Sequence, residues 1–264
     1  MKFIKMEALG NDYIYVDMED NKSLDLNAIK SLTPRICDRH TGVGADGVIT
    51  IYREDTKIVT NIYNPDASEA EICGNGLRCV ARIAFDKGWS KDKKDFEIVL
   101  GKTNRHVHAY INSSNVTVNM GKAQCKEPET FSHKGGDVNF VPVDMSNPHA
   151  VVFVGDLRSV KVEELGPAIE EDKRFPSKTN VEFVEVKSKH SIELRVWERG
   201  VGETLACGSG ACAAAYAGFC SGFCDGEVEV KMPGGTALVS IKDDGAILLT
   251  GPVNYVFKGE LDIQ

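Results

Sequence analysis

Short apolar runs, separated by glycines and Asn/Asp pairs, dominate the chain and predict many strands with few helices. Alternating or apolar segments read as strands at residues 3–6, 13–16, 48–52, 116–120, 150–154, 182–186, 192–197, 227–232 and 247–250. Helical spacing occurs in three places. Residues 26–37 form one candidate, ending near Asp38 and Gly42. In residues 76–87, Leu77, Val80, Ala81, Ala84 and Phe85 fall on one face, and Gly88 follows as a C-cap. Residues 210–221 are small and apolar almost all round, which predicts a helix enclosed in the middle of its domain. The polar, glycine-containing stretch 122–139 reads as a seam between domains.

Two of these helices open on the same sequence. EAEICGNG at 69–76 lies over ETLACGSG at 203–210, an offset of 134 (207 − 73) that pairs Glu69 with Glu203 and Cys73 with Cys207. The offset also carries Gly74 to Gly208, Gly76 to Gly210, Ala81 to Ala215, Phe85 to Phe219, Gly88 to Gly222 and Gly101 to Gly235. Upstream, Asn11-Asp12-Tyr13 matches Asn147-Pro148-His149 after a two-residue indel. An offset near half the chain predicts two related α+β domains rather than a solenoid, whose periods are about 20–50 residues. The expected division is 1–118 plus 252–264 for the first domain and 119–251 for the second.

Each copy sets a cysteine just before a glycine-rich turn that opens a helix. Free N–H groups of a first helical turn bind anions, and glycine lets the anion come close. The same positive helix end stabilises a thiolate, so the neighbouring cysteine becomes a candidate base. One copy alone would more often be a tight turn with a buried thiol. Two copies facing one cleft would place sulfurs on both sides of a carbon. One thiolate could then remove a Cα proton while the opposite thiol returns one, with helix ends holding the carboxylate.

Composition narrows the alternatives. At 42% hydrophobic and 27% charged residues over 264 positions, the chain can build a substantial core. A net charge of −8 argues against nucleic acid or an anionic membrane as partner. No stretch approaches the roughly 20 apolar residues of a membrane span, and the first residues do not read as a secretory signal, so a cytoplasmic setting is expected. The eight cysteines form no CxxC or finger pattern, so no metal site is expected. Cys37, Cys79, Cys125, Cys212, Cys220 and Cys224 read as small buried hydrophobes.

NPDASEAEICGNG at 64–76 and ERGVGETLACGSG at 198–210 closely resemble the two cysteine motifs of the diaminopimelate epimerase family. ALGNDY at 8–13, HTGVGADG at 40–47, NPHA at 147–150, TNVEF at 179–183, Pro233–Gly235 and Gly251-Pro252 extend the resemblance along essentially the whole chain. It implies two similar domains, each a β-barrel-like sheet around a central helix, with the site in the cleft between them. It implies cofactor-free interconversion of LL- and meso-2,6-diaminopimelate on the route to lysine. Carried over by motif, Cys73 and Cys207 are the acid/base pair, and His149 and Glu198 support proton movement. Gly74, Asn75, Gly208 and Ser209 hold the reacting carboxylate, and Glu198 contacts its amino group. Asn11, Asn64, Asn147, Asn180 and Arg199 line the distal half of the substrate, with Arg199 on the distal carboxylate. A homodimer is left open as the assembly. Departures from the family pattern fall at Gly47, where many relatives carry Gln, at Ser146 and Ala67, where Gly is common, and at Pro65.

Other readings are weaker. A phenazine-pathway isomerase would lack the cysteine pair, and a proline racemase-like enzyme would not need Arg199 and several Asn residues for a second charged head. A thiol redox or zinc protein is disfavoured by the wide separation of the key cysteines. A non-catalytic amino-acid-binding protein stays open on spacing alone.

Overall fold

A computed structural model describes residues 1–90 and 94–263 of the chain. These fall into two compact units, Met1–Val118 with Gly251–Gln264, and Asn119–Thr250.

The first unit begins with β1 (Lys2–Ala8), β2 (Asn11–Asp17), α1 (Leu26–Cys37), β3 (Gly47–Glu54) and β4 (Lys57–Tyr63). It continues through α2 (Gly74–Asp86), β5 (Asp95–Leu100), β6 (Arg105–Asn112) and β7 (Asn115–Gly121). The second unit runs β8 (Gln124–Cys125), β9 (Glu129–His133), β10 (Gly136–Asp144), β11 (Pro148–Phe153), α3 (Val162–Glu170) and β12 (Asn180–Ser188). After these come β13 (Ser191–Glu198), β14 (Gly202–Thr204), α4 (Gly208–Cys220), β15 (Glu227–Met232), β16 (Gly235–Ile241) and β17 (Ile247–Pro252). The last strand, β18 (Asn254–Glu260), pairs antiparallel with β1 and so closes the first unit.

The duplication is written in the ladder directions. From β1 to β7 the successive pairings are antiparallel, parallel, antiparallel, parallel, antiparallel and antiparallel. The series β10, β11, β12, β13, β15, β16, β17 repeats that order without exception. A parallel pair needs a crossover, and each unit fills its two crossovers with helices: α1 and α2 in the first, α3 and α4 in the second.

The second crossover helix of each unit is the enclosed one. In the first unit, α2 packs against β1, β2, β5 and β6. It buries Leu77, Val80, Ala81, Ile83 and Ala84, along with the whole Arg78 side chain. In the second, α4 packs against β10, β11, β12, β13, β15 and β16, as its lack of a polar face requires. The outer helix α1 is capped by Asp25, whose carboxylate accepts from the Ala28 N–H at 2.7 Å. It sets Ile29 and Ile36 into a core with Ile14, Val16 and Val48. Each such fully buried side chain contributes about 1.5–3 kcal/mol.

Several elements differ from the sequence expectation. Phe85, placed on the buried stripe of its helix, is 37% exposed, and its repeat partner Phe219 is 44% exposed, so the two aromatics sit at the rim. The boundary between the units falls at 118/119, and the stretch 122–139 just past it carries the β9 strand and the start of β10, with only Phe131 buried in β9. Helix α3 was not expected because Gly166 and Pro167 lie inside it. Gly166 is required there, since a β-carbon would sit 2.5 Å from the Trp197 ring. Strand β6 was also passed over, although Val107, Ala109 and Ile111 alternate inward in an otherwise polar segment.

Candidate active site

Both motif cysteines are helix N-caps. Cys73 has extended backbone angles (φ −138°, ψ 102°) immediately before α2, and its Sγ accepts from the Gly76 N–H at 3.3 Å. Cys207 repeats this at α4 (φ −126°, ψ 117°), accepting from the Gly210 N–H at 3.4 Å. The helices therefore start at Gly74 and Gly208, two residues earlier than expected. Oxygen caps are the rule at this position, so sulfur there in both repeats is unusual. The cap uses the third N–H of the turn. The N–H groups of Gly74, Asn75, Gly208 and Ser209 precede the first intrahelical bonds, Leu77 N–H to Cys73 O and Ala211 N–H to Cys207 O, both 2.9 Å. They are the donors that a helix leaves for an anion.

In the first unit, Cys73 is half-buried and its thiol donates to Asn11 Oδ1 at 3.4 Å. Asn11 cannot easily turn its amide, because Nδ2 donates to Asp46 Oδ2 at 2.8 Å. Asp46 also accepts from the Asp12 N–H at 3.0 Å and from Arg39 at 2.7 Å. Burial pushes the Asp46 carboxyl up. Burial would raise Asp12 too, but Arg39 and Lys5 override it and hold that carboxyl below its ordinary range. Asn64 donates to Ser68 Oγ at 2.9 Å, closing the turn between β4 and α2. Asn75 is 2% exposed, and its Oδ1 has no hydrogen-bond partner among the described residues.

In the second unit, Cys207 is buried beside Ser209 Oγ at 3.5 Å. Burial, then the nearby Glu198 and Glu182 carboxylates, push its thiol well above the ordinary range. Glu198 accepts from Thr204 Oγ1 at 2.5 Å. His149 is fully buried, with Nδ1 2.7 Å from Glu182 Oε1 and Nε2 3.1 Å from Asn147 Oδ1. Asn180 donates to Pro148 O at 3.1 Å and accepts from the Arg199 N–H at 3.0 Å, tying β12 to the turn that carries Arg199. The Arg199 side chain is exposed in its unit, with Nη1 donating to Ser177 O at 3.2 Å.

Three residues of these networks escaped the sequence reading. Asp46 looked like part of a glycine-rich turn. Glu170 holds the turn after β13 by accepting from Trp197 Nε1 at 2.7 Å and from the Gly200 N–H at 2.9 Å. Glu182 did carry a signal, being a lone charge in the apolar run NVEFV.

Three of the four departures from the family pattern have structural explanations, and nothing in the structure explains Pro65. A β-carbon at Gly47 would lie 2.4 Å from Tyr63 O and 2.6 Å from the Tyr13 ring, so a Gln there requires both the β4 backbone and Tyr13 to shift. Ser146 and Ala67 have φ of 73° and 66°, the left-handed region that favours glycine. Ser146→Gly should therefore raise stability by about 0.5–1 kcal/mol, the left-handed strain relieved less the chain entropy glycine adds. Chemical denaturation measures it, and a lowered midpoint would refute the strain argument.

Matched ladders, each with a thiol capping its enclosed helix, define a duplicated α+β fold of the epimerase and isomerase class. Solved structures of that fold align over the whole chain. A phenazine biosynthesis protein from Bacillus anthracis matches with TM-score 0.77 at 16% identity, covering 100% of this chain and 99% of that one. A hydroxyproline epimerase from Agrobacterium vitis matches with TM-score 0.72 at 13% identity, covering 99% and 90%. The chain belongs to the diaminopimelate epimerase family, whose sequence profile matches residues 3–126 and 141–256. Diaminopimelate epimerase of Carboxydothermus hydrogenoformans is 40% identical over 98% of this chain and 99% of its own. That of Methanococcus maripaludis is 39% identical over the full length of both. Among the described residues no group of three His, Cys, Asp or Glu is placed to hold a metal ion, and no helix is long and apolar enough to cross a membrane.

Proposed function

We propose that the chain interconverts LL- and meso-2,6-diaminopimelate without a cofactor, by a two-base mechanism, in the cytoplasmic synthesis of lysine. The observation that carries this reading is the sulfur N-cap at the start of both enclosed helices. In the mechanism, the domains 1–118 plus 252–264 and 119–251 each supply one cysteine half-site to the substrate. One cysteine, as thiolate, takes the Cα proton, and the other, as thiol, gives its proton to the opposite face. The proton count of the pair is unchanged and the roles exchange for the reverse reaction. Negative charge moving onto the carboxylate during deprotonation meets the amides of Gly74, Asn75, Gly208 and Ser209 at two positive helix ends. Glu198 takes the reacting ammonium group, and His149 and Glu198 support proton movement at the thiols. Asn11, Asn64, Asn147, Asn180 and Arg199 hold the distal head. Exposed Tyr255, Val256 and Phe257 on β18 support a homodimer as the assembly.

The test is to follow LL-diaminopimelate in deuterium oxide. Deuterium should enter Cα of the product with inversion, with no added metal or pyridoxal phosphate. Binding without exchange would leave an amino-acid-binding protein in place of an enzyme.

A further inference from the structure

Strand β12 holds a carboxylate where an apolar side chain would be expected. Asn180, Val181, Glu182, Phe183 and Val184 are all buried, and Glu182 is the one charged residue among them, at 0% exposure. Its Oε1 meets His149 Nδ1 at 2.7 Å, while Oε2 is buried with no hydrogen-bond partner among the described residues. A carboxylate oxygen left this way is destabilising, and a hydrophobe of similar volume would avoid the cost. The carboxylate also lies close to the cap. The point where a Gly210 β-carbon would stand is 2.8 Å from Glu182 Oε1 and 3.3 Å from Cys207 Sγ. Glycine at 210 thus leaves room for the carboxylate beneath the first turn of α4.

We infer that Glu182 is a positioning residue for the Cys207 half-site, acting through His149. The parallel register of β11 and β12 sets His149 opposite Asn180, two residues from Glu182, so imidazole and carboxylate meet across the ladder. Glu182 Oε1 meets one ring nitrogen, Nδ1, and Asn147 Oδ1 meets the other, Nε2, so the ring plane is fixed from both sides. Asn147 and His149 are then held as one unit by the carboxylate that lies against the cap of α4. The buried bond keeps its geometry because water does not compete for it. This rests on the proposed role of His149 and Asn147 in the site.

The test uses Glu182→Gln, Glu182→Leu, His149→Ala and the double variant Glu182→Gln/His149→Ala. Gln keeps an acceptor for Nδ1 but weakens the bond, and Leu removes it along with the unpartnered oxygen. Both single Glu182 variants should fold, with Glu182→Leu less resistant to denaturant than the parent because it leaves buried His149 Nδ1 without its partner. The expected result is a fall in kcat of about 10- to 100-fold for Glu182→Leu, with a smaller fall for Glu182→Gln and KM within about threefold. The nitrogen-15 NMR signal of His149 Nδ1 should lose its hydrogen-bond shift in Glu182→Leu. The double variant should be no slower than His149→Ala, because the two residues act in series. Parental kcat in Glu182→Leu with the His149 signal altered would overturn the inference and leave a purely structural pair. Additive losses in the double variant would also overturn it. Parental kcat in His149→Ala would instead remove the role proposed for His149, a failure distinct from that of Glu182.

Discussion

Replacing Cys73 or Cys207 with alanine should lower kcat for epimerisation by about 10³-fold or more, with the fold retained. Each substitution deletes the only proton-transferring group proposed for one face of Cα, so neither loss can be offset by the other cysteine. Cys79→Ala and Cys212→Ala are the matched controls. These residues lie on the same two helices, fully buried and inside the helices rather than at the N-cap position. Removing their sulfur should cost stability by about 1–2 kcal/mol and leave kcat within a few-fold. Loss of the cap complicates the alanine variants, since a missing N-cap costs about 1 kcal/mol by itself. Cys73→Ser and Cys207→Ser separate the two effects. A hydroxyl is the better cap, so these proteins should melt no lower than the parent, yet serine is far too weak an acid to replace the thiol. Measured epimerisation rates and melting temperatures decide it. Equal activity losses in all four alanine variants, or active serine variants, would mean that the cysteines serve packing rather than chemistry.

The placing of each cysteine just ahead of a helix was legible in the sequence because the pattern is local, whereas its role as the N-cap was not. A cysteine followed at once by a glycine, and by a second glycine three residues on, can be read within four positions, twice. The helix starts were read late because Gly74, Gly76, Gly208 and Gly210 have low helix propensity. Tertiary contact explains two of them: a β-carbon at Gly76 would meet Ile49 Cδ1 at 2.5 Å, and one at Gly210 would meet Glu182. What remained illegible is non-local. Asp46 orients Asn11 only because Lys5, Asp12 and Arg39 converge from separate segments. The buried pair of His149 and Glu182 exists only once β11 and β12 align in register. A lone Glu in an apolar strand could have been flagged, but its partner could not have been named.

Arg199→Lys should lower kcat/KM for LL-diaminopimelate by about 10- to 100-fold, corresponding to about 1.5–3 kcal/mol for a charge-assisted contact. Lysine keeps the charge and loses the planar fork that can meet a carboxylate with two parallel bonds. The backbone of residue 199 remains tied to Asn180 Oδ1, so the new side chain starts from the same anchor and the change is confined to the head group. In its own unit the guanidinium is exposed and stays hydrated when no carboxylate is present. The discrimination against L-lysine, which lacks the distal carboxylate, should therefore be set by the lost contact rather than by burial. It follows that Arg199→Lys slows diaminopimelate turnover but leaves the weak reaction with L-lysine nearly unchanged, so the preference between them shrinks by the same factor. Comparing kcat/KM for both substrates in both proteins measures it. Equal losses with the two substrates would place Arg199 at the reacting end, and an unchanged kcat/KM for diaminopimelate would remove it from the site while leaving the two-cysteine chemistry intact.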